Sequence, residues 1–237
     1  KGDNLTFKNG LNINRKVSEK HVISSEVIQD YKEGSPIRNW STNQEILQGI
    51  VPLIPDNEIV INQDKRIKKS KLNAIVKDYW KITNKHYLYT SIGFNFNDEK
   101  IVLNEYQQLT NGLINDFSSN NFGNDIHYQL SNPYLKLEYK TSIGITTFTP
   151  SLSYHIYKRK INQTLGDEAN IKVFFQPKLT AKTIFSSSQK ISYKYELATK
   201  FPSIENLATR NTLTNFNSAF IGNDTLENTL DLKHVGL

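Results

Sequence analysis

The sequence predicts an all-β chain, an arc of a large antiparallel transmembrane β-barrel. Three observations predict it. Short polar turns at Thr83 to His86, Ser142 to Ile145 and Ser186 to Lys190 each join two long strands. Long polar stretches separate these hairpins, so the two ends of the strands meet different surroundings. Along the strands, apolar and polar residues alternate, as a wall between lipid and a polar interior requires.

In chain order, Asn9-Gly10 signals a hairpin over Asn4 to Asn14. A long polar stretch follows, roughly Ser24 to Ser70, with Gly34, Pro36, Pro52 and Pro55. Strands are expected at Lys71 to Ile82, Tyr87 to Asn97, Ile126 to Lys140, Ile145 to Lys158, Ile171 to Phe185 and Ile191 to Thr199. A last strand begins near Leu226 and runs to Leu237, giving about nine. The connections Asp98 to Asp125, Arg159 to Asn170 and Lys200 to Thr225 are rich in Asn, Ser and Thr. Loops of that length are unusual in compact soluble domains unless they are functional.

The faces separate cleanly. Leu135, Leu137 and Tyr139 oppose Lys136, Glu138 and Lys140. Phe148, Pro150, Leu152, Tyr154 and Ile156 oppose Thr147, Thr149, Ser151, Ser153 and His155. Further on, Val173, Phe175, Pro177, Leu179, Ala181, Thr183 and Phe185 oppose Lys172, Phe174, Gln176, Lys178, Thr180 and Lys182, and Ile191, Tyr193, Tyr195 and Leu197 oppose Ser192, Lys194, Glu196 and Ala198. A soluble sandwich also alternates, with its apolar face inward, so strand length must arbitrate. Soluble strands run to about five or six residues, whereas Tyr134 to Ile156 reads as two strands of about a dozen around one turn.

Composition sets the limits. The chain has 237 residues, 37% of them hydrophobic, and no apolar run near the roughly 20 residues of a membrane helix. That excludes helical spans and leaves a barrel open. Aromatics such as Tyr79, Trp80, Tyr87, Tyr89, Tyr134, Tyr154 and Tyr157 fall near strand ends. They suit an interfacial girdle, although strands favour aromatics in any setting. There is no Cys, so thiol chemistry is excluded. Lys1 to Gly10 lacks the apolar core of a signal peptide, and the expectation is a piece of a longer protein.

The run FPSIENLATR from Phe201, followed by NTLTNFNSAFIGNDTLENTL, resembles the late-barrel segment of TonB-dependent outer-membrane receptors of the Bacteroidetes type. Pro202-Ser203, Gly222-Asn223 and Leu226 match that pattern, while Asp224 stands where the family usually has Pro. The Tyr-rich KDYWKITNKHYLYTSIGFNF is similar to an earlier hairpin of such barrels. The resemblance covers roughly Lys71 to the C-terminus. It implies periplasmic short turns, extracellular long loops and 22-stranded barrels enclosing a plug, so all 237 residues would belong to one barrel domain whose plug and remaining strands lie outside this sequence. It also implies uptake of a scarce solute (a metal chelate, glycan or peptide) across the outer membrane of a Gram-negative bacterium, coupled through the plug to TonB, with a surface lipoprotein as a further partner.

Candidate chemistry is sparse. The histidines at 21, 86, 127, 155 and 234 show no metal-ligand spacing. No carboxylate pair and no nucleophile elbow is specified, so neither an enzyme nor a cofactor is expected. The net charge of +6 raises the question of nucleic acid, but the densest cluster, Lys65, Arg66, Lys68, Lys69 and Lys71, lacks the interleaved aromatics that stack bases. Contact with anionic outer-leaflet lipid is expected there instead, against the plainer reading of a solvated lysine-rich loop. Lys136, Glu138, Lys140, Lys172, Lys178, Lys182, Lys194 and Glu196 are expected on the lumenal face, holding a plug or lining a solute route. The alternative of a different class is a soluble β-sandwich or adhesin-like module that grips glycans, with a glycosidase third.

Overall fold

Alternation with period two commits each residue to one face, and the chain uses it to build a single meandering sheet. The computed structural model describes residues 2–164, 166–215 and 217–236. Its strands are β1 (Asn4–Lys16), β2 (His21–Gly34), β3 (Ile37–Thr42), β4 (Ile59–Lys81), β5 (His86–Gln108), β6 (Ile114–Asp116), β7 (Asn124–Ile143), β8 (Thr146–Gln163), β9 (Gly166–Ile184), β10 (Lys190–Lys200), β11 (Thr212–Asn215), β12 (Ser218–Phe220) and β13 (Thr229–Gly236). Nine form the main path, β1-β2-β4-β5-β7-β8-β9-β10-β13, every neighbour antiparallel. β3 and β6 extend the margins of β4 and β5, and β11 pairs with β12 in a separate hairpin.

All three expected short turns are present, between β4 and β5, β7 and β8, and β9 and β10. A fourth, at residues 17–20, lies at the same end, where Val17 and Ser18 N–H donate to the His21 carbonyl. This replaces the expected N-terminal hairpin. Asn9 and Gly10 lie within β1, opposite Gln29 and Ile28, because continuous pairing along the strand outweighs a local Asn-Gly preference.

The expected polar stretch Ser24 to Ser70 is mostly strand, comprising the rest of β2, all of β3 and the first half of β4. Both faces are polar over much of it, so no alternation marks it. Likewise β5 runs on to Gln108, and β8 and β9 extend until Gln163 faces Gly166, a tight hairpin in place of the expected Arg159 to Asn170 loop. The long connection after Lys200 is as expected. The main-path count of nine agrees with the sequence, but β2 takes the place of one arm of the supposed hairpin.

One face of the sheet is apolar and uncovered. A lane runs across five strands through Val76, Ile92, Leu135, Tyr154 and Phe175, each opposite the next. Ile92 is 67% exposed and Phe175 61%. On β8 the apolar run Phe148 to Ile156 covers about 27 Å of strand. A sandwich would cover this face with a second sheet about 10 Å away, and among the described residues none does.

The other face is polar, and at the end opposite the short turns it is buried. Residues 43–58, 109–123 and 201–228 fold onto it. Ile46, Val51, Ile59, Ile61, Phe117, Phe122 and Leu213 form one core; Ile101, Ile126, Tyr128, Ile161, Ile204 and Leu207 form another. Wall residues and loop residues therefore bury each other's apolar surface, the strongest general source of stability available there.

Gly93 sits opposite Tyr134, and a Cβ at that glycine would lie 2.2 Å from the ring's Cζ. Gly93→Ala is therefore expected to displace the ring and destabilise the sheet by about 1–3 kcal/mol, read as a lowered thermal unfolding midpoint.

Candidate functional site

The polar wall is built by strand register. Glu138, Ser151, Lys178, Glu196 and Lys233 stand in one lane across β7, β8, β9, β10 and β13. All eight residues expected on this face share it. Lys136 pairs with Glu138 at 2.5 Å, Lys194 pairs with Glu196, and Lys172 reaches Glu227 at 2.8 Å. The Lys140 ammonium lies 5.8 Å from the centre of the Tyr87 ring. Lys178 and Lys182 complete the row without an ion pair among the described residues. Pairing of this kind keeps a charged wall neutral locally while leaving hydrogen-bonding capacity on its surface.

Higher on the same wall an aromatic series leads into the infolded segment. Tyr134 stacks on His155 at 5.1 Å, His155 on Tyr157 at 5.5 Å, and Tyr157 meets Phe201 at 4.9 Å. Phe201 thus turns the chain back over the wall. Next comes the single-turn helix α1 (Ile204–Leu207), which drives Ile204 and Leu207 into the second core.

The segment then closes on itself: Gly222 N–H donates to the Ala208 carbonyl at 2.8 Å and Asn223 N–H to Asn206 at 2.7 Å. A Cβ at Gly222 would lie 2.4 Å from the Asn206 carbonyl oxygen, so only glycine fits. Asn223 Oδ1 accepts from the Thr225 backbone N–H at 2.9 Å and from its hydroxyl at 2.7 Å, making the turn locally. Arg159, 6% exposed, donates to the Leu226 carbonyl at 2.8 Å and to Glu168 at 2.6 Å. Of the residues singled out in the sequence as a motif, Gly222 and Asn223 therefore close the segment on itself, and Leu226 ties it to the wall through Arg159.

Glu105 is the polar centre of this layer. It is 1% exposed and its Oε1 accepts from Gln63 Nε2 at 2.7 Å and from Leu213 N–H at 2.8 Å. Gln63 Nε2 also donates to the Leu213 carbonyl at 2.8 Å. Burial raises the Glu105 pKa, opposed by the hydrogen bonds from Gln63, Leu213 and Gly123. Desolvation wins because no cation faces the carboxyl.

Strand parity divides the basic cluster. Lys65, Lys69 and Lys71 lie on the polar face, level with Leu103, Glu99 and Asn97, while Arg66 and Lys68 lie on the other. Lys69 pairs with Glu99 at 2.8 Å and Lys68 with Glu33 at 3.0 Å. The five do not form one patch, since β4 runs straight through them. No group of three or more metal-ligating side chains occurs among the described residues. Sequence reading missed Glu105, Gln63 and Arg159; the one available signal was an apolar neighbour of the same parity, Leu103 for Glu105, Ile61 for Gln63, and Tyr157 and Ile161 on either side of Arg159.

These features define a class: an up-and-down antiparallel wall with an apolar face and a polar face, of the kind that makes large β-barrels. Among solved structures, the chain is similar to the ferric citrate transporter FecA in its unliganded form, with a TM-score of 0.55, 13% identity and 84% of this chain covered. The chain spans 27% of that transporter's length. No family model and no curated protein matches the sequence. The likeness shows the barrel fold.

A raised acid pKa in the folded state ties stability to the protonated form: full below the ordinary value of 4.5 and lost as pH rises through the raised value. The Glu105 contribution to the thermal midpoint is thus expected to fall as pH rises above 4.5, and Glu105→Gln to flatten that fall. Leu207→Ala is expected to cost about 2–5 kcal/mol and to remove hydrogen-exchange protection from residues 204–213 before it affects β7 to β9.

Proposed function

We propose that this chain is part of the wall of an outer-membrane transporter that takes up a scarce solute. The observation that carries this reading is the uncovered apolar lane from Val76 to Phe175, backed by a face of paired charges. Water would leave so large an apolar surface unsatisfied, whereas lipid is a matching solvent for it. No described helix is long and apolar enough to cross a membrane, and the strands take that role here. The short turns then face the periplasm and the infolded segments face outward.

The FecA structure is named for ferric citrate transport, and transport by a barrel of this kind supports the same general activity here. Coupling to TonB, through a plug seated against Lys136, Glu138, Lys140, Lys172, Lys178, Lys182, Lys194 and Glu196, is part of the proposal, as are the Bacteroidetes type, a surface lipoprotein partner and a non-enzymatic role. So is contact with anionic lipid, placed on Arg66 and Lys68, which share a face with the apolar lane just beyond Leu72.

In lipid vesicles Leu137→Lys is expected to destabilise the folded protein by about 2–4 kcal/mol, while Thr149→Lys, on the polar face, changes unfolding little. Deleting the gene should remove energy-dependent uptake of one solute class and leave the protein's own outer-membrane fraction empty. Recovery of the intact protein as a soluble monomer without detergent would refute the reading.

A further inference from the structure

Between the polar face of β4 and the infolded segment lies a cavity of about 280 Å³. Its floor is the wall itself, with Lys65 beside Leu103 and Ile67 one step along the same face. β3 contributes Arg38, α1 contributes Glu205, and the β11–β12 hairpin roofs it with Leu213 and Phe220. The roof is rigid at one point: Leu213 is held through its backbone by Glu105 and Gln63.

The charges in this cavity do not balance. Neither Lys65 nor Arg38 makes an ion pair or a side-chain hydrogen bond among the described residues, in contrast to Lys69 four residues along, which is paired with Glu99. Glu205 is the single carboxylate among the lining residues. Burial lowers the Lys65 pKa; Glu205 opposes this, and Arg38 and Lys69 add to the lowering. A half-buried ammonium held between two other cations gains most from an anion placed beside it. Of the rest of the lining, Pro36, Ile67, Leu103, Leu213 and Phe220 are apolar, the last 41% exposed, beside the uncharged polar Gln63, Thr212 and Thr214.

We propose that this cavity binds a small organic anion with an apolar body, its carboxylate between Arg38 and Lys65 and its body against Ile67 and Phe220. The fork of Arg38 suits a planar carboxylate, and Lys65 supplies a point charge on the other side. A volume near the lower end of the range for ligand pockets suits a compact molecule. This site rests on the transport reading, in which this end of the strands opens to the outside and meets solute first.

The test uses the full-length protein in detergent and isothermal titration calorimetry with 3-phenylpropionate, against the neutral 3-phenylpropionamide. Saturable one-to-one binding of the acid is expected, at least tenfold tighter than the amide. The double variant Arg38→Gln/Lys65→Gln is expected to weaken the acid at least tenfold, with Lys77→Gln, lower on the same face, unchanged. Phe220→Ala, at an exposed position that folding tolerates, is expected to weaken acid and amide alike by several-fold, and it keeps the test decisive if the double variant does not fold. Equal affinity for acid and amide, no saturable binding, or affinity indifferent to these substitutions would overturn the site. A protein that fractionates with the outer membrane and supports uptake yet binds no acid overturns the site alone; one that does neither overturns the transport reading.

Discussion

Everything in this molecule depends on the antiparallel backbone ladder that runs unbroken from β1 to β13. It satisfies the N–H and C=O groups of paired backbone within the sheet, so neither face has to supply water or side chains to that backbone. That freedom lets one face be mainly apolar over its middle and the other carry lysines and glutamates. Because side chains alternate strictly, the two chemistries sit a single residue apart along the chain, each on its own face. The cross-strand register then multiplies the effect: Glu138, Ser151, Lys178 and Glu196 come from four separate strands yet stand in line.

Where the apolar middle ends, a different rule takes over. The outer halves of β4, β5, β7 and β8 have no uncovered apolar face to match to a solvent, and they gain their burial from segments folding back on the polar face. Ile101, Ile126, Tyr128 and Ile161 are apolar residues on the polar side of the sheet, and they make sense only with Ile204 and Leu207 above them. Glu105 belongs to the same layer. An acid without a cation beside it is a poor source of net stability, but two donors converging on one oxygen fix where Leu213 must lie. The geometry of the β11–β12 hairpin follows from that single anchor.

How much could be read in advance follows from these two rules. In β7 to β10 the sequence separates Leu135, Leu137 and Tyr139 from Lys136, Glu138 and Lys140, and strands, faces and turns could all be assigned. In β2 and the first half of β4 both faces are polar, as in Lys65 to Lys71, so period two leaves no trace and the strand looks like a loop. Asn9-Gly10 misled for a related reason: a turn signal is local, whereas the register with β2 is set by every residue of β1. The segment after Phe201 was visible as a pattern of Pro202, Ser203, Gly222 and Asn223. Its seat on the wall was not visible, since the residues that receive it lie in strands far upstream.

That separation has a consequence for the order of assembly. Leu213 is 108 residues from Glu105 and 150 from Gln63. Closing loops of that size gains nothing until the distant strands are already in register. The hairpin strands can zip from their short turns with mostly neighbouring contacts, but the roof over Lys65 and Arg38 has no place to dock until β4, β5, β7 and β8 stand together. The cavity therefore forms only after the strands beneath it, and its presence reports that the wall has been completed in the correct register.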